Sequence, residues 1–180
     1  MILPSPITGK IPQISKSAFI AENVTIIGDV IIHPNVNIWY GAVLRGDEGT
    51  LIVGENTSLQ EHVALHTEHG VTCEIGKNCI VGHHAMVHGP CKVEDHCMIG
   101  INAVVLQGTH VGEGTIVASG AVARKEIPKL SLVAGVPAIL KKTLDPSRIE
   151  KARNAAIDYV KRGQAFKKEF NHPDLEKYLF

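Results

Sequence analysis

Small and aliphatic residues recur along this chain at a fixed six-residue spacing. From Cys73 onward the small positions are Cys73, Cys79, Ala85, Cys91, Cys97, Ala103, Thr109, Thr115 and Ala121. Two residues after each comes a second inward candidate: Ile75, Val81, Val87, Val93, Ile99, Val105, Val111, Val117 and finally Ala123. The same tracks run through the first part of the chain, with Ala18, Val24, Val30, Val36 and Ala42 leading Ile20, Ile26, Ile32, Ile38 and Leu44. A helix cannot keep a six-residue spacing on one face, whereas a coil of repeated strand-and-turn units can. The spacing therefore predicts an all-β solenoid. Its phase slips by three residues after Arg45 and by four more before Cys73, which predicts two short loops along one edge. Gly54, Gly76, Gly82, Gly100 and Gly112 each follow a large inward position, as expected where a corner needs positive φ or close backbone approach.

Past the repeat, Ile127 to Ala138 carries Pro128, Gly135 and Pro137 and reads as an irregular exit from the coil. The period then becomes helical. Asp145-Pro146-Ser147 followed by Glu150 predicts a helix start, with a capping box from Ser147 to Glu150. Ile149, Ala152, Ala156, Tyr159 or Val160, and then Gly163 form one apolar stripe, so a helix is expected over about residues 146–168, packed along the outside of the coil. The organisation expected is a β-helix domain over residues 1–140 and a C-terminal helix and tail over 141–180.

Composition narrows the picture. Hydrophobic residues make up 44 % of the chain but aromatic ones only 4 %, as a narrow interior of Val, Ile, Ala and Cys would require. The formal charge is zero, which argues against a nucleic-acid footprint or a polybasic membrane surface. No signal-peptide pattern precedes Pro4 and no apolar run is long enough to cross a bilayer. All four cysteines fall on the small inward track, so they are expected to be reduced, buried hydrophobes of a cytoplasmic protein rather than metal ligands.

The pattern resembles the hexapeptide-repeat left-handed β-helix, in which three six-residue units make one triangular turn. On that count the units beginning at Val63 and Ala85 share a side on adjacent coils, and His66 and His88 stand at the same phase. Stacked strands are about 4.8 Å apart, so two such imidazoles can reach one ion with bonds of about 2 Å. Arg45 falls one coil below His66. His83 lies on the preceding side with Gln60 and reaches the same ion only around a corner or from another subunit. His33, His62, His84, His96 and His110 show no matching alignment, and His172 lies in the tail. All six are expected to be surface or locally hydrogen-bonded residues; His69 lies in the insertion after His66.

Taken together, the chain resembles a γ-class carbonic anhydrase over nearly its whole length. The resemblance rests on Ile27-Gly28-Asp29-Val30, Leu44-Arg45-Gly46-Asp47, Leu59-Gln60-Glu61, Ala64-Leu65-His66, Gly82-His83-His84-Ala85-Met86-Val87-His88-Gly89 and Gly135-Val136-Pro137-Ala138. It implies a homotrimer with an active site at each interface, where one divalent ion takes His66 and His88 from one subunit and His83 from the next. It further implies reversible hydration of carbon dioxide to bicarbonate, the ion bringing the pKa of water to about 7. Zinc is the leading expectation, and iron(II) or cobalt(II) also suits three imidazoles. Arg45 and Asp47 would pair across the interface, and Gln60 would hydrogen-bond water or bicarbonate. Glu48 and Glu61 would orient water or accept a proton, and Tyr159 would reach the site from the helix. Two departures stand out: Thr67–Thr72 is short where such proteins have a longer acidic loop, offering only Glu68 and His69, and Ser58 stands where asparagine is often found. They argue against fast turnover. The same coil also serves acyltransferases and thioesterases acting on acyl-coenzyme A, and non-catalytic scaffolds, which are the alternatives.

Overall fold

The computed structural model describes all residues, Met1–Phe180. The chain is a left-handed parallel β-helix of about seven turns with one C-terminal helix. One side stacks Val43–Leu44, Ala64–His66, Met86–His88, Val104–Val105 and Val122–Ala123. The next stacks Leu51–Val53, Thr72–Ile75, Cys91–Val93, Thr109–Val111 and Glu126–Ile127. Phe19–Ile20, Asn37–Ile38, Ser58–Leu59, Ile80–Val81, Met98–Ile99, Ile116–Val117 and Ser131–Ala134 make the third. Both inward tracks are buried from Ala18 to Ile127 in one continuous core.

The phase slips have different structural outcomes. The first does not make a loop: Val43–Val53 runs as one strand that rounds a corner, and its pairing with Thr25–Ile32 shifts register between Gly28 and Val30. Gly46 and Gly49 permit this, because a Cβ at either would lie 2.7 Å from the Asp29 carbonyl or 2.3 Å from that of Glu68. The second insertion is a turn, and the two meet where the Gly70 amide donates to the Glu48 carbonyl at 3.0 Å.

The glycines after the large positions serve close approach alone. A Cβ on Gly100 would sit 2.5 Å from the Ser119 amide nitrogen, and one on Gly54 2.5 Å from the Gly76 carbonyl carbon. Positive φ falls instead on columns of turn residues. One column is Asn35, Asn56, Asn78 and His96, with φ from 53° to 62°. The asparagines tolerate the left-handed region through short polar side chains, and Asn35, Asn56 and Asn78 join in a ladder of amide hydrogen bonds at 3.2 and 3.1 Å.

The exit is more ordered than its proline and glycine content suggests. Ser131–Ala134 still belongs to the coil, and Ile139–Thr143 returns antiparallel beside it, carrying strand pairing past residue 140. The helix is Arg148–Lys167 and buries Ala152, Ala156 and Gly163. The expected capping box does not form: Ser147 has φ −58° and ψ −12°, already helical, and makes no side-chain cap. Asp145 caps the turn instead, its Oδ1 accepting the Ser147 amide at 2.9 Å. Gly163 lets the helix sit against Phe19 and Asn37. The aromatic residues gather in this seam, Trp39 lying edge-on to Phe19, Tyr159 and Phe166 at 5.4, 6.4 and 5.0 Å. No helix is long and apolar enough to cross a membrane.

Candidate metal centre

Strand register sets the site. Arg45 pairs with His66 and His66 with His88, so three chemically active residues stand one above another on adjacent coils. The two imidazoles are 5.2 Å apart at an angle of 86°. His83 lies at the corner before this side, one position past the Gly82–Gln60 level, and its Nδ1 meets the Glu61 carboxylate at 2.7 Å.

All three rings share one feature. His66 Nδ1 is 2.8 Å from the Arg45 carbonyl, His88 Nδ1 is 2.9 Å from the Gly89 carbonyl, and His83 Nδ1 faces Glu61. A carbonyl or carboxylate accepts, so Nδ1 carries the proton in each neutral ring and Nε2 keeps its lone pair. This is how metal-binding imidazoles are commonly oriented. The Arg45 guanidinium donates to His66 Nε2 at 2.9 Å. No three His, Cys, Asp or Glu side chains within one chain are grouped to hold a metal. The donor chemistry fits a divalent ion, and one chain supplies the donors in two separate places.

Arg45 and Asp47 pair within the chain, Nη1 to Oδ2 at 2.6 Å. Residues two apart on a strand point to the same side, so no second subunit is needed to bring them together. Burial disfavours the Asp47 carboxylate, but the hydrogen bond and charge of Arg45 outweigh it and hold the carboxyl below its ordinary range. Asp47 Oδ1 is buried without a hydrogen-bond partner and lies 3.9 Å from His66 Nδ1.

Gln60 is buried and fixed at both ends of its amide. Its Oε1 accepts the His83 backbone N–H at 3.1 Å, and its Nε2 donates to the Tyr159 hydroxyl at 2.5 Å. The helix thereby reaches the histidine corner through Tyr159, whose ring also lies under Arg162. Glu48 is turned to His69, 3.8 Å away and exposed.

Two features escaped the sequence reading. His62 and His84 do align: their rings stack at 4.8 Å and 15° on a column of positive-φ turn residues. The signal was their 22-residue separation, the same as that of His66 and His88. The other is a groove of about 400 Å³ beside Gln60, His83 and Tyr159, floored by Ile80, Met98 and Ile101. Ile80 and Met98 stand between inward positions on paired strands and so point outward together. Of the six histidines expected to be surface or locally hydrogen-bonded residues, His172 is of the second kind: it is buried, with its Nδ1 accepting the Asp174 amide at 3.1 Å.

A family model described as bacterial transferase hexapeptide (six repeats) matches residues 12–46 and 90–125. A carbonic anhydrase of Geobacillus kaustophilus is 46 % identical over 61 residues, 34 % of this chain and 34 % of that protein. The mitochondrial gamma carbonic anhydrase 1 of Arabidopsis thaliana is 46 % identical over 57 residues, 32 % of this chain and 21 % of its own length. The match thus spans about a third or less of these curated relatives. Over the whole fold, the crystal structure of a candidate acetyltransferase of Bacillus cereus superposes with a TM-score of 0.87 at 32 % identity, covering 93 % of this chain and 97 % of the other. By that near-complete match and by its repeat, the chain belongs to the hexapeptide-repeat family, and within it is related to the γ-class carbonic anhydrases.

Proposed function

We propose that the chain is a metal-dependent, γ-carbonic anhydrase-like enzyme of the cytoplasm that hydrates carbon dioxide reversibly as a homotrimer. The observation that carries this reading is the matched tautomer of the three histidines: each Nδ1 is engaged by a carbonyl or carboxylate, which puts the ring lone pair on Nε2, and at His66 an ion would take the place of the Arg45 guanidinium that meets Nε2 at 2.9 Å. His66 and His88 of one copy and His83 of a neighbouring copy would hold the ion, zinc in the leading case. When bound, it supplies Lewis acidity that brings the pKa of water to about 7.

The chain's own groups have separable tasks. Arg45 provides a positive charge for bicarbonate, and Asp47 holds the guanidinium in place at 2.6 Å. Gln60 has one amide hydrogen left after binding Tyr159 and can orient a bicarbonate oxygen. Glu61 fixes the tautomer of His83 and, being partly exposed, can pass a proton to solvent. The apolar groove suits entry of an uncharged gas.

Anaerobically purified protein reconstituted with zinc or iron(II) should hold about one ion per chain and catalyse hydration in a stopped-flow pH assay. His66→Ala, His83→Ala and His88→Ala should each lose the metal while remaining folded. Protein that binds neither ion rejects the reading. A second reading, acyl transfer from acyl-coenzyme A, has the Bacillus cereus neighbour behind it but ranks below hydration. Metal-independent release of free coenzyme A from acetyl-coenzyme A with amine acceptors would support it over hydration.

A further inference from the structure

The four cysteines stand in two cross-coil pairs, and the pairs differ. Cys79 and Cys97 lie one residue before the Ile80–Met98 pairing and sense one another, but each thiol also has a backbone carbonyl to donate to. Cys79 Sγ donates to the Glu94 carbonyl at 3.2 Å and Cys97 Sγ to the Gly112 carbonyl at 3.3 Å. Cys73 and Cys91 are direct partners on adjacent parallel strands, and their sulfurs meet at 3.3 Å. Paired strands about 4.8 Å apart place Cα atoms within the range of about 4.4–6.8 Å that a disulfide spans. Both cysteines are buried, Cys91 at 8 % exposed and Cys73 at 1 %, so Cys91 is the nearer of the two to solvent. It also lies next to the candidate site: a Cβ on Gly89, the residue after His88, would be 2.7 Å from the Cys73 Cβ.

We propose that Cys73 and Cys91 form a reversible disulfide between adjacent coils when the folded protein meets a peroxide. Cys91 thiolate attacks one peroxide oxygen, the O–O bond breaks, and the other oxygen leaves as hydroxide and takes a proton to become water. The resulting Cys91 sulfenic acid is attacked by Cys73 sulfur; the S–O bond breaks, the Cys73 proton leaves with that oxygen, and a second water departs. Each sulfur is oxidised by one electron, the peroxide is reduced by two, and a dithiol reverses the reaction. The order follows from position: Cys91 is the less deeply buried of the two, whereas hydrogen bonding to Cys91 and burial push the Cys73 thiol far up and keep it protonated. The cross-link closes the loop between residues 73 and 91, which carries both His83 and His88. Both sulfurs lie on the inward track, so the outward imidazoles are left in place.

Hydrogen peroxide treatment of the folded wild-type chain, followed by thiol blocking, denaturation and mass mapping, tests this directly. Four free thiols are present before oxidation. Two should remain afterwards, with one peptide pair joining Cys73 to Cys91, full reversal by dithiothreitol and unchanged metal content. The oxidised protein should melt about 5–10 °C above the reduced one. Cys79→Ala and Cys97→Ala should still cross-link, whereas Cys73→Ala and Cys91→Ala should not; alanine already occupies the small track at Ala85 and Ala103. Four thiols surviving peroxide, a Cys79–Cys97 bond, or Cys91 oxidised to sulfinic acid without a cross-link would each overturn the proposal. Because the wild-type protein is its own reduced control, these outcomes do not depend on any variant folding.

Discussion

His110 is held between two carboxylates, its Nε2 2.9 Å from Glu94 and its Nδ1 2.5 Å from Glu126. The Glu94 hydrogen bond, joined by Glu126, raises its pKa above the usual histidine value of 6.5 against the opposing effect of burial, and His110 in turn holds Glu94 below 4.5. The raised histidine contributes stability that is full below pH 6.5 and fades as pH climbs through its folded value. The lowered glutamate contributes above pH 4.5 and fades as pH falls through its folded value. Both act together between those limits, so His110→Gln should lower unfolding stability by about 0.5–1 kcal/mol near pH 6 and by almost nothing at pH 9, a partly exposed pair being worth little more. Urea unfolding at the two pH values measures the difference, and an equal loss at both would refute the assignment. At the candidate centre, Tyr159→Phe removes the anchor of Gln60 without touching a histidine. It should leave metal content unchanged and lower kcat about 10-fold, as loss of an outer hydrogen bond does. Phase in the sequence was enough to place His66 over Arg45 and beside His88, because parallel register translates spacing directly into contact. It did not reveal which ring nitrogen is engaged, since the partners of His66 and His88 are backbone carbonyls that carry no sequence signal.

The coil is stabilised by repetition, and so its weak points repeat as well. Glycines at the corners separate into two groups with different physics. At Gly100 a Cβ would lie 2.5 Å from the backbone of Ser119, an atom that cannot swing away, so Gly100→Ala should cost about 2–4 kcal/mol. At Gly70 φ is +70° and nothing lies within 4 Å, so Gly70→Ala should cost only about 1 kcal/mol of backbone strain. Chemical denaturation of the two variants, run side by side, distinguishes crowding from conformation; equal costs would mean that close approach does not govern the corners. The strands and the core were legible because a six-residue period leaves few alternatives. The first insertion was not, because Gly46 and Gly49 absorb three extra residues into a bent strand that hydrophobic phase alone reads as a break. The capping box failed for a similar reason. Ser147 and Glu150 have the right spacing, but Asp145 already satisfies the Ser147 amide and lets Ser147 turn helical.

One chain divides its imidazoles between a strand edge, with His66 and His88, and the corner bearing His83, and no three ligands gather within it. Under the proposed reading the three-histidine centre is shared between two copies, and in a closed ring each copy offers its edge to one neighbour and its corner to the other. The proposed homotrimer makes a quantitative prediction from this division. His66→Ala keeps an intact corner and a broken edge; His83→Ala keeps an intact edge and a broken corner. Each variant alone has no complete junction and should bind no metal. When the two are unfolded and refolded as an equal mixture, every mixed trimer contains one junction where an intact edge meets an intact corner. Random mixing makes about three-quarters of trimers mixed, each with one site of three, so metal should return to roughly a quarter of the wild-type level. Hydration activity should return in the same proportion. A dimeric ring of two copies would also regain one junction, but all mixed species would then hold one site of two, and recovery would again be near a quarter. Sedimentation of the refolded mixture therefore has to accompany metal analysis: the mass gives the ring size, and the recovered metal shows whether ligands are shared. Mixed rings that stay empty would show that edge and corner never meet between copies, and the three-histidine centre would have to be abandoned.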